Sequence, residues 1–312
     1  MSTTPSPEPI EVIVAQSAGT CFGVEAAIEL AERVKKPILG PLVHNPQVVG
    51  ALAAEGIPIL ERYQDLDGLA AQADEVIITA HGYPKQLKQA LEQRGIGFYD
   101  ATCPVLLKWV YSKIERFERD GYTILLVGNP NHAEIIASRS YGTRIYVVYS
   151  REDCDALPPI EGPTVALCQT TITREKFEDL VEYLRRKRFP ALKAIDTRCK
   201  PVKSQQEAVE NLAQWVDAML IVGGFESSNT TNLARISERY LPDRTYHIDS
   251  AVALKPEWFD GVRTLGIGAG TSTPSYQLEQ VERRLMELFP GRIRLHATRA
   301  QGEGDEDASS EL

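Results

Sequence analysis

The sequence predicts an α/β protein made of three comparable units, each with a parallel sheet. Three observations predict it. Short apolar runs such as Glu75-Val-Ile-Ile-Thr79, Tyr122-Thr-Ile-Leu-Leu-Val127 and Ala218-Met-Leu-Ile-Val222 alternate with segments whose apolar residues recur at helical spacing. That alternation calls for crossover connections and parallel strands. Cys21, Cys103 and Cys199 each stand between a strand-like run and a helix start. Unusual polar residues collect at the same kind of turn, where open α/β sheets bind ligands.

Residues 1–10 hold three prolines, no base and no apolar core, so a disordered tail is expected rather than a secretory signal. The first unit is placed at 11–103. Val12-Ile-Val-Ala15 precedes Cys21 and a helix with Val24, Ile28 and Ala31 on one face. Pro37-Ile-Leu-Gly40 is a short strand, followed by a helix with Val48, Val49, Leu52 and Ala53. Pro58-Ile-Leu60 and Glu75–Thr79 are further strands, and Tyr83–Arg94 reads as a helix. Ile96-Gly-Phe-Tyr99 leads to Cys103. Leu107, Val110, Ile114 and Phe117 mark the next helix, with Thr102 expected to cap it and Pro104 in its first turn.

The second unit is placed at 104–198. Its strands are Tyr122–Val127, Arg144–Val148, Thr164–Leu167 and Ala191–Ile195, and a helix carries Phe177, Leu180, Val181 and Leu184. The third unit, 199–289, opens with a helix bearing Ala208, Val209, Leu212 and Val216. Strands follow at Ala218–Val222, Thr245–Ile248 and Thr264–Ile267, with helices marked by Leu233 and Ile236 and by Leu278, Val281 and Leu285. Residues 290–312 form a C-terminal segment whose acidic run, Gly302–Leu312, is expected to be disordered.

A chain of 312 residues with net charge −9 can bury real cores, and its acidic balance argues against nucleic acid as a partner. No apolar run approaches the roughly 18 residues of a membrane helix. A cytoplasmic, monomeric protein with no membrane partner is expected. Five cysteines at long spacings do not read as a disulfide framework. Cys168 reads as a core residue and Cys154, amid charges, as a surface one. Cys21, Cys103 and Cys199 read as ligands, because a helix start favours a thiolate. Three thiolates leave one position of a metal centre free.

His44, His81 and His132 lie between a strand and a helix, as three of only five histidines. One alone would be a loop residue; three in equivalent places point to a shared site. Ser227, Ser228 and Asn229 follow two glycines at a helix start, and Ser272 follows Gly270-Thr271 in the same way. Each alone is a good helix cap. Together with His44 and His81 they suit a phosphate or diphosphate, without the lysine of a P-loop. Glu134, at a helix start, is either a favourable first-turn charge or a proton carrier. Thr170 is either a polar strand end or its partner.

These residues carry a family resemblance. Gly19-Thr-Cys-Phe-Gly-Val24, Val43-His-Asn45, Ala80-His-Gly82, Asp100-Ala-Thr-Cys-Pro104, His132-Ala-Glu134, Gln169-Thr-Thr171, Asp196-Thr-Arg-Cys199, Gly223-Gly-Phe-Glu-Ser-Ser-Asn229 and Ala269-Gly-Thr-Ser272 stand in order over Val12–Phe289. The chain resembles the 4-hydroxy-3-methylbut-2-enyl diphosphate reductases, the last enzymes of the methylerythritol phosphate route to isoprenoids. The resemblance implies three α/β units in pseudo-threefold arrangement around a central iron–sulfur cluster, [4Fe-4S] when complete, held by Cys21, Cys103 and Cys199. It implies that the first strand joins the third unit. His44, His81, His132, Ser227, Ser228, Asn229 and Ser272 would bind the substrate's diphosphate, Glu134 would deliver protons, and Thr170 would be its hydrogen-bond partner. The products would be isopentenyl and dimethylallyl diphosphate, with a ferredoxin or flavodoxin as electron donor.

Ala133, Lys200–Gln206 and Glu226 depart from the family's common pattern. Two other readings remain open at this point. One is another three-cysteine cluster enzyme, resembling quinolinate synthase. The other is an anion- or metal-binding α/β protein with structural cysteines.

Overall fold

The structure, a computed structural model, describes residues 8–60, 66–70 and 72–296. The expected acidic run at 302–312 and all but residues 8–10 of the expected N-terminal tail lie outside the described residues. The chain forms β1 (Ile10–Val14), α1 (Phe22–Val34), β2 (Ile38–Leu39), α2 (Pro46–Ala54), β3 (Ile59–Leu60), α3 (Leu66–Ala70), β4 (Glu75–Ile78), α4 (Lys85–Gln93) and β5 (Gly97–Asp100). A π-helical stretch, Leu106–Tyr111, runs into α5 (Ser112–Arg119). Then come β6 (Thr123–Val127), α6 (Ala133–Arg139), β7 (Ile145–Val148), α7 (Arg151–Asp155), β8 (Thr164–Cys168), α8 (Arg174–Lys187) and β9 (Lys193–Ala194). α9 (Lys200–Ala213), β10 (Ala218–Val222), α10 (Ser228–Glu238), β11 (Thr245–Ile248), β12 (Thr264–Ala269), α11 (Ser275–Leu288) and β13 (Ile293–His296) complete it.

The strands form three parallel sheets, ordered β3-β2-β4-β5, β7-β6-β8-β9 and β11-β10-β12-β1-β13. The first four positions follow one plan in all three. β5, β9 and β1 are the equivalent fourth strands, and they lead to Cys103, Cys199 and Cys21 respectively. The strand that opens the chain therefore lies in the third sheet, paired Val12 with Leu265. That is the place in the third unit that the family resemblance implies for the first strand.

Each cysteine marks a handover. α1, after Cys21, packs Ala27 and Ala31 on Ile38, Leu42 and Ile77 of the first unit. The helix after Cys103 packs Leu106, Val110, Ile114 and Phe117 on Ile124, Leu126 and Val165 of the second. α9, after Cys199, packs Val209, Leu212 and Ala213 on Met219 and Ile221 of the third. In every case the strand belongs to one sheet and the following helix to the next unit. The opposite sheet faces are covered by α4, α8 and α11, whose leucines and valines repeat at helical spacing.

Several local expectations need correction. β1 starts at Ile10, inside the expected tail. Residues 293–296, assigned to a C-terminal segment, form β13 beside β1. This edge strand exposes Arg294, Leu295 and His296 in succession, so it lacks the buried alternation that marks a strand in sequence. Thr102 does not cap a helix: its side chain is buried with no hydrogen-bond partner, and the Cys103 carbonyl opens the helix instead. Cys154 is fully buried, against an expected surface position. Its charged neighbours on α7 face solvent while it turns into the second core.

Candidate active site

The carboxyl ends of the strands enclose a cavity of about 100 Å³, and every residue singled out above as ligand, acid or substrate contact lines it. The three thiol loops are built alike. Cys21, Cys103 and Cys199 donate their backbone N–H groups to the carbonyls of Thr271, Ala80 and Thr170, at 3.1, 3.1 and 3.3 Å. Each acceptor lies two residues beyond the end of the neighbouring strand, β12, β4 or β8. Each cysteine carbonyl then accepts the first bond of the following helix. The pseudo-threefold thus reaches down to single hydrogen bonds.

Burial raises all three thiol pKa values, Cys199 up to about 12. The expected helix-start thiolates are therefore neutral thiols until something positive enters. Among the described residues, no three His, Cys, Asp or Glu side chains close on a single metal ion. Thiolates that hold an iron–sulfur cluster each take their own iron, so they surround a volume rather than a point. Gly23 makes room at this centre: a Cβ there would stand 2.6 Å from Cys103 Sγ. Gly23→Ala is expected to destabilise the metal-free protein by about 1–3 kcal/mol through overpacking. Thermal melting checks this, and an unchanged midpoint would mean that the Cys103 thiol swings aside freely.

The histidines come from two units. His44 follows β2 and His81 follows β4, and their rings stack at 3.8 Å with 15° between planes. His132, after β6, meets His44 edge-on at 5.4 Å. Burial lowers the pKa of all three, with further depression of His81 by its two neighbours; His132 falls to about 4. They are neutral near pH 7. His132 Nδ1 accepts the Glu134 N–H at 3.2 Å, which leaves the His132 proton on Nε2. Nε2 of His44 and of His81 are buried with no hydrogen-bond partner, as are Ser272 Oγ and Asn229 Oδ1. Four orphaned polar groups in one cavity await a ligand rich in hydrogen-bonding atoms.

Glu134 is buried on the first turn of α6. Thr170 donates to it twice, N–H to Oε1 at 2.7 Å and Oγ1 to Oε2 at 2.6 Å. Burial outweighs these bonds and pushes its pKa up to about 7. A carboxyl that is half protonated near neutrality is suited to proton transfer.

Some residues that hold the site were not singled out. Asn45 caps α2 through Oδ1, and its Nδ2 donates to Ser272 O at 2.7 Å and Gln277 Oε1 at 2.8 Å. It ties the His44 loop to the Ser272 loop. Gln205 and Gln206 are buried on α9. They occupy apolar-stripe positions beside Val202 and Val209, a signal visible in the sequence. The π-helical stretch brings Tyr111 beneath Gly82, where a Cβ would meet Tyr111 Oη at 2.0 Å. Gly82 has φ +83°, so its conformation and its space both demand glycine.

Fold and cavity define a three-unit parallel α/β protein whose strand ends enclose a pocket lined by thiols and histidines. The chain belongs to the LytB protein family, which matches residues 12–286. The 4-hydroxy-3-methylbut-2-enyl diphosphate reductase of Aquifex aeolicus is 38% identical over 295 residues, covering 91% of this chain and 99% of that one. The enzyme of the same name from Caldanaerobacter subterraneus is 37% identical, covering 89% and 98%. A solved structure of (E)-4-hydroxy-3-methyl-but-2-enyl diphosphate reductase, described as the terminal enzyme of the non-mevalonate pathway, is 36% identical with a TM-score of 0.62, covering 89% and 99%. The Plasmodium falciparum reductase structure shares the fold, with a TM-score of 0.83 at 23% identity over 96% of this chain and 95% of that one.

Proposed function

We propose that this chain reduces (E)-4-hydroxy-3-methylbut-2-enyl diphosphate to isopentenyl and dimethylallyl diphosphate. Two electrons and two protons enter, the allylic C–O bond breaks, and water leaves. The observation that carries this reading is the joining of three thiols, a buried carboxyl of raised pKa and unpartnered His44, His81 and Ser272 atoms in one cavity. A cluster enzyme of the quinolinate synthase kind has no use for the diphosphate contacts. Structural cysteines would not need three matching loops.

The donor set fits a [4Fe-4S] cluster on Cys21, Cys103 and Cys199, with one iron left to the substrate. When bound, it supplies single electrons and a Lewis acid for the hydroxyl oxygen. A one-electron carrier such as ferredoxin or flavodoxin matches that need. Among the described residues no helix is long and apolar enough to cross a membrane.

The chain's own groups do the rest. Neutral His44, His81 and His132, with Ser227, Ser228, Ser272 and the Asn229 Nδ2 hydrogen that Gln205 does not take, hold the diphosphate by N–H and O–H donors, which places the allylic end at the thiol side. Protonated Glu134 gives its proton toward the leaving oxygen, and Thr170 Oγ1 keeps the carboxyl aimed. Turnover at saturating substrate is therefore expected to fall as pH rises through about 7, where Glu134 ionises. A profile flat across that region would remove Glu134 as the acid.

The direct test is anaerobic. Protein reconstituted with iron and sulfide is mixed with a reduced dye, and dye oxidation is followed on adding the substrate. Substrate-dependent oxidation with five-carbon diphosphate products supports the assignment. Brown protein without turnover would point to another cluster enzyme, and colourless inactive protein to structural cysteines.

A further inference from the structure

Gln205 spends its whole amide on two different parts of the site. It is 2% exposed, on α9, the helix that Cys199 opens. Its Nε2 donates to the carbonyls of Ser17 at 2.8 Å and Gly19 at 2.9 Å. Its Oε1 accepts from Asn229 Nδ2 at 2.7 Å.

The first two bonds hold the loop that delivers Cys21. That loop is not relaxed: Ser17 has φ +61° and Gly19 φ +119°. A non-glycine residue in the left-handed region persists only where its surroundings impose it. Gln205 imposes it by taking two backbone carbonyls of the loop. The third bond sets Asn229. With both Nε2 hydrogens committed to carbonyls, Gln205 cannot flip without setting its oxygen against two others. Asn229 cannot flip either, since its Oδ1 would then face Gln205 Oε1. The direction of the second Asn229 Nδ2 hydrogen, the one left to donate to an anion, is thus decided from α9.

We propose that Gln205 is a positioning residue that couples the Cys21 loop to Asn229, so that cluster retention and diphosphate affinity depend on the same side chain. This rests on the reductase reading above.

Two variants separate the halves. Gln205→Leu releases both partners. Gln205→Glu still accepts from Asn229 Nδ2 but, held protonated by burial, has one hydrogen instead of two for the Ser17 and Gly19 carbonyls. The readouts, on reconstituted protein, are calorimetric affinity for inorganic diphosphate, the rate at which a chelator bleaches the visible absorbance, and thermal melting. Gln205→Leu is expected to weaken diphosphate binding about tenfold, the scale of one lost buried hydrogen bond, and to speed bleaching by a similar factor. Gln205→Glu is expected to speed bleaching while affinity stays within about threefold of wild type. A Leu variant that melts lower but keeps wild-type affinity and bleaching would overturn the coupling and leave only a packing role. A Glu variant with wild-type bleaching overturns the loop half, whether or not the Leu variant folds. Wild-type protein that keeps its iron but does not bind diphosphate would instead overturn the anion-pocket reading, and with it the Asn229 half.

Discussion

Glu134→Gln is expected to keep the fold and the cavity while turnover drops by about 10²–10⁴-fold, the usual weight of a positioned general acid. The substitution is nearly isosteric. Oε1 still accepts from the Thr170 N–H, and the new amide can donate to Thr170 Oγ1, so both contacts survive with one direction reversed. What is lost is the transferable proton. The variant should not lose stability above neutral pH, and this follows from the sign of the shift. Burial raises the folded-state pKa from 4.5 to about 7. Wild-type stability from this group is therefore full below about 4.5 and is lost as pH rises through about 7. Glutamine has no such loss. Single-turnover kinetics and melting curves on both proteins check the two halves. Normal turnover in the variant would move the proton source elsewhere, with His132 the nearest alternative.

Cys103→Ser is expected to abolish iron retention and, with it, nearly all turnover. Serine fits the backbone, since the N–H bond to Ala80 O does not involve the side chain. It fails chemically, because metal ligation needs the deprotonated sulfur and a serine hydroxyl stays protonated near neutral pH. The same reasoning gives the pH dependence of loading. The buried thiols have raised pKa values, so filling the cavity must expel protons, and reconstitution is expected to improve as pH rises. Visible absorbance and iron content after anaerobic reconstitution are the measurements. Full absorbance in Cys103→Ser would mean that this residue is no ligand.

The cavity was largely legible in the sequence because parallel topology does most of the placing. Once Val76-Ile-Ile78, Leu125-Leu-Val127 and Leu220-Ile-Val222 are read as buried strands, the residues just after them are bound to share one side of their sheets. His81, His132 and Ser227 needed no further information. What stayed hidden depends on partners distant in the chain. Val12–Val14 looks the same whether it joins the first sheet or the third, since a local pattern says that a strand is buried but not beside which other. Leu107, Val110, Ile114 and Phe117 recur at helical spacing, which fits an ordinary helix and does not reveal its π-helical part. Cys154 looked exposed because its neighbours are. The apolar stripe of α9 marks Gln205 as buried but not what it holds; that lies in the carbonyls of Ser17 and Gly19, far back in the chain.

The placement of β1 has a bearing on how the molecule is made. On the ribosome Cys21 emerges long before β12, yet its resting place is furnished by that strand and the turn after it. β1 pairs with β12, and the Cys21 N–H is received by Thr271. The first and second units can condense as they are synthesised, because their strands are near neighbours in the chain. The opening segment has to wait, unpaired, until β12 and β13 arrive on either side of it. Contacts of such long sequence separation form late. The three-thiol cavity is therefore expected to close only once β12 and Thr271 are in place, and on the reductase reading iron loading would follow that step.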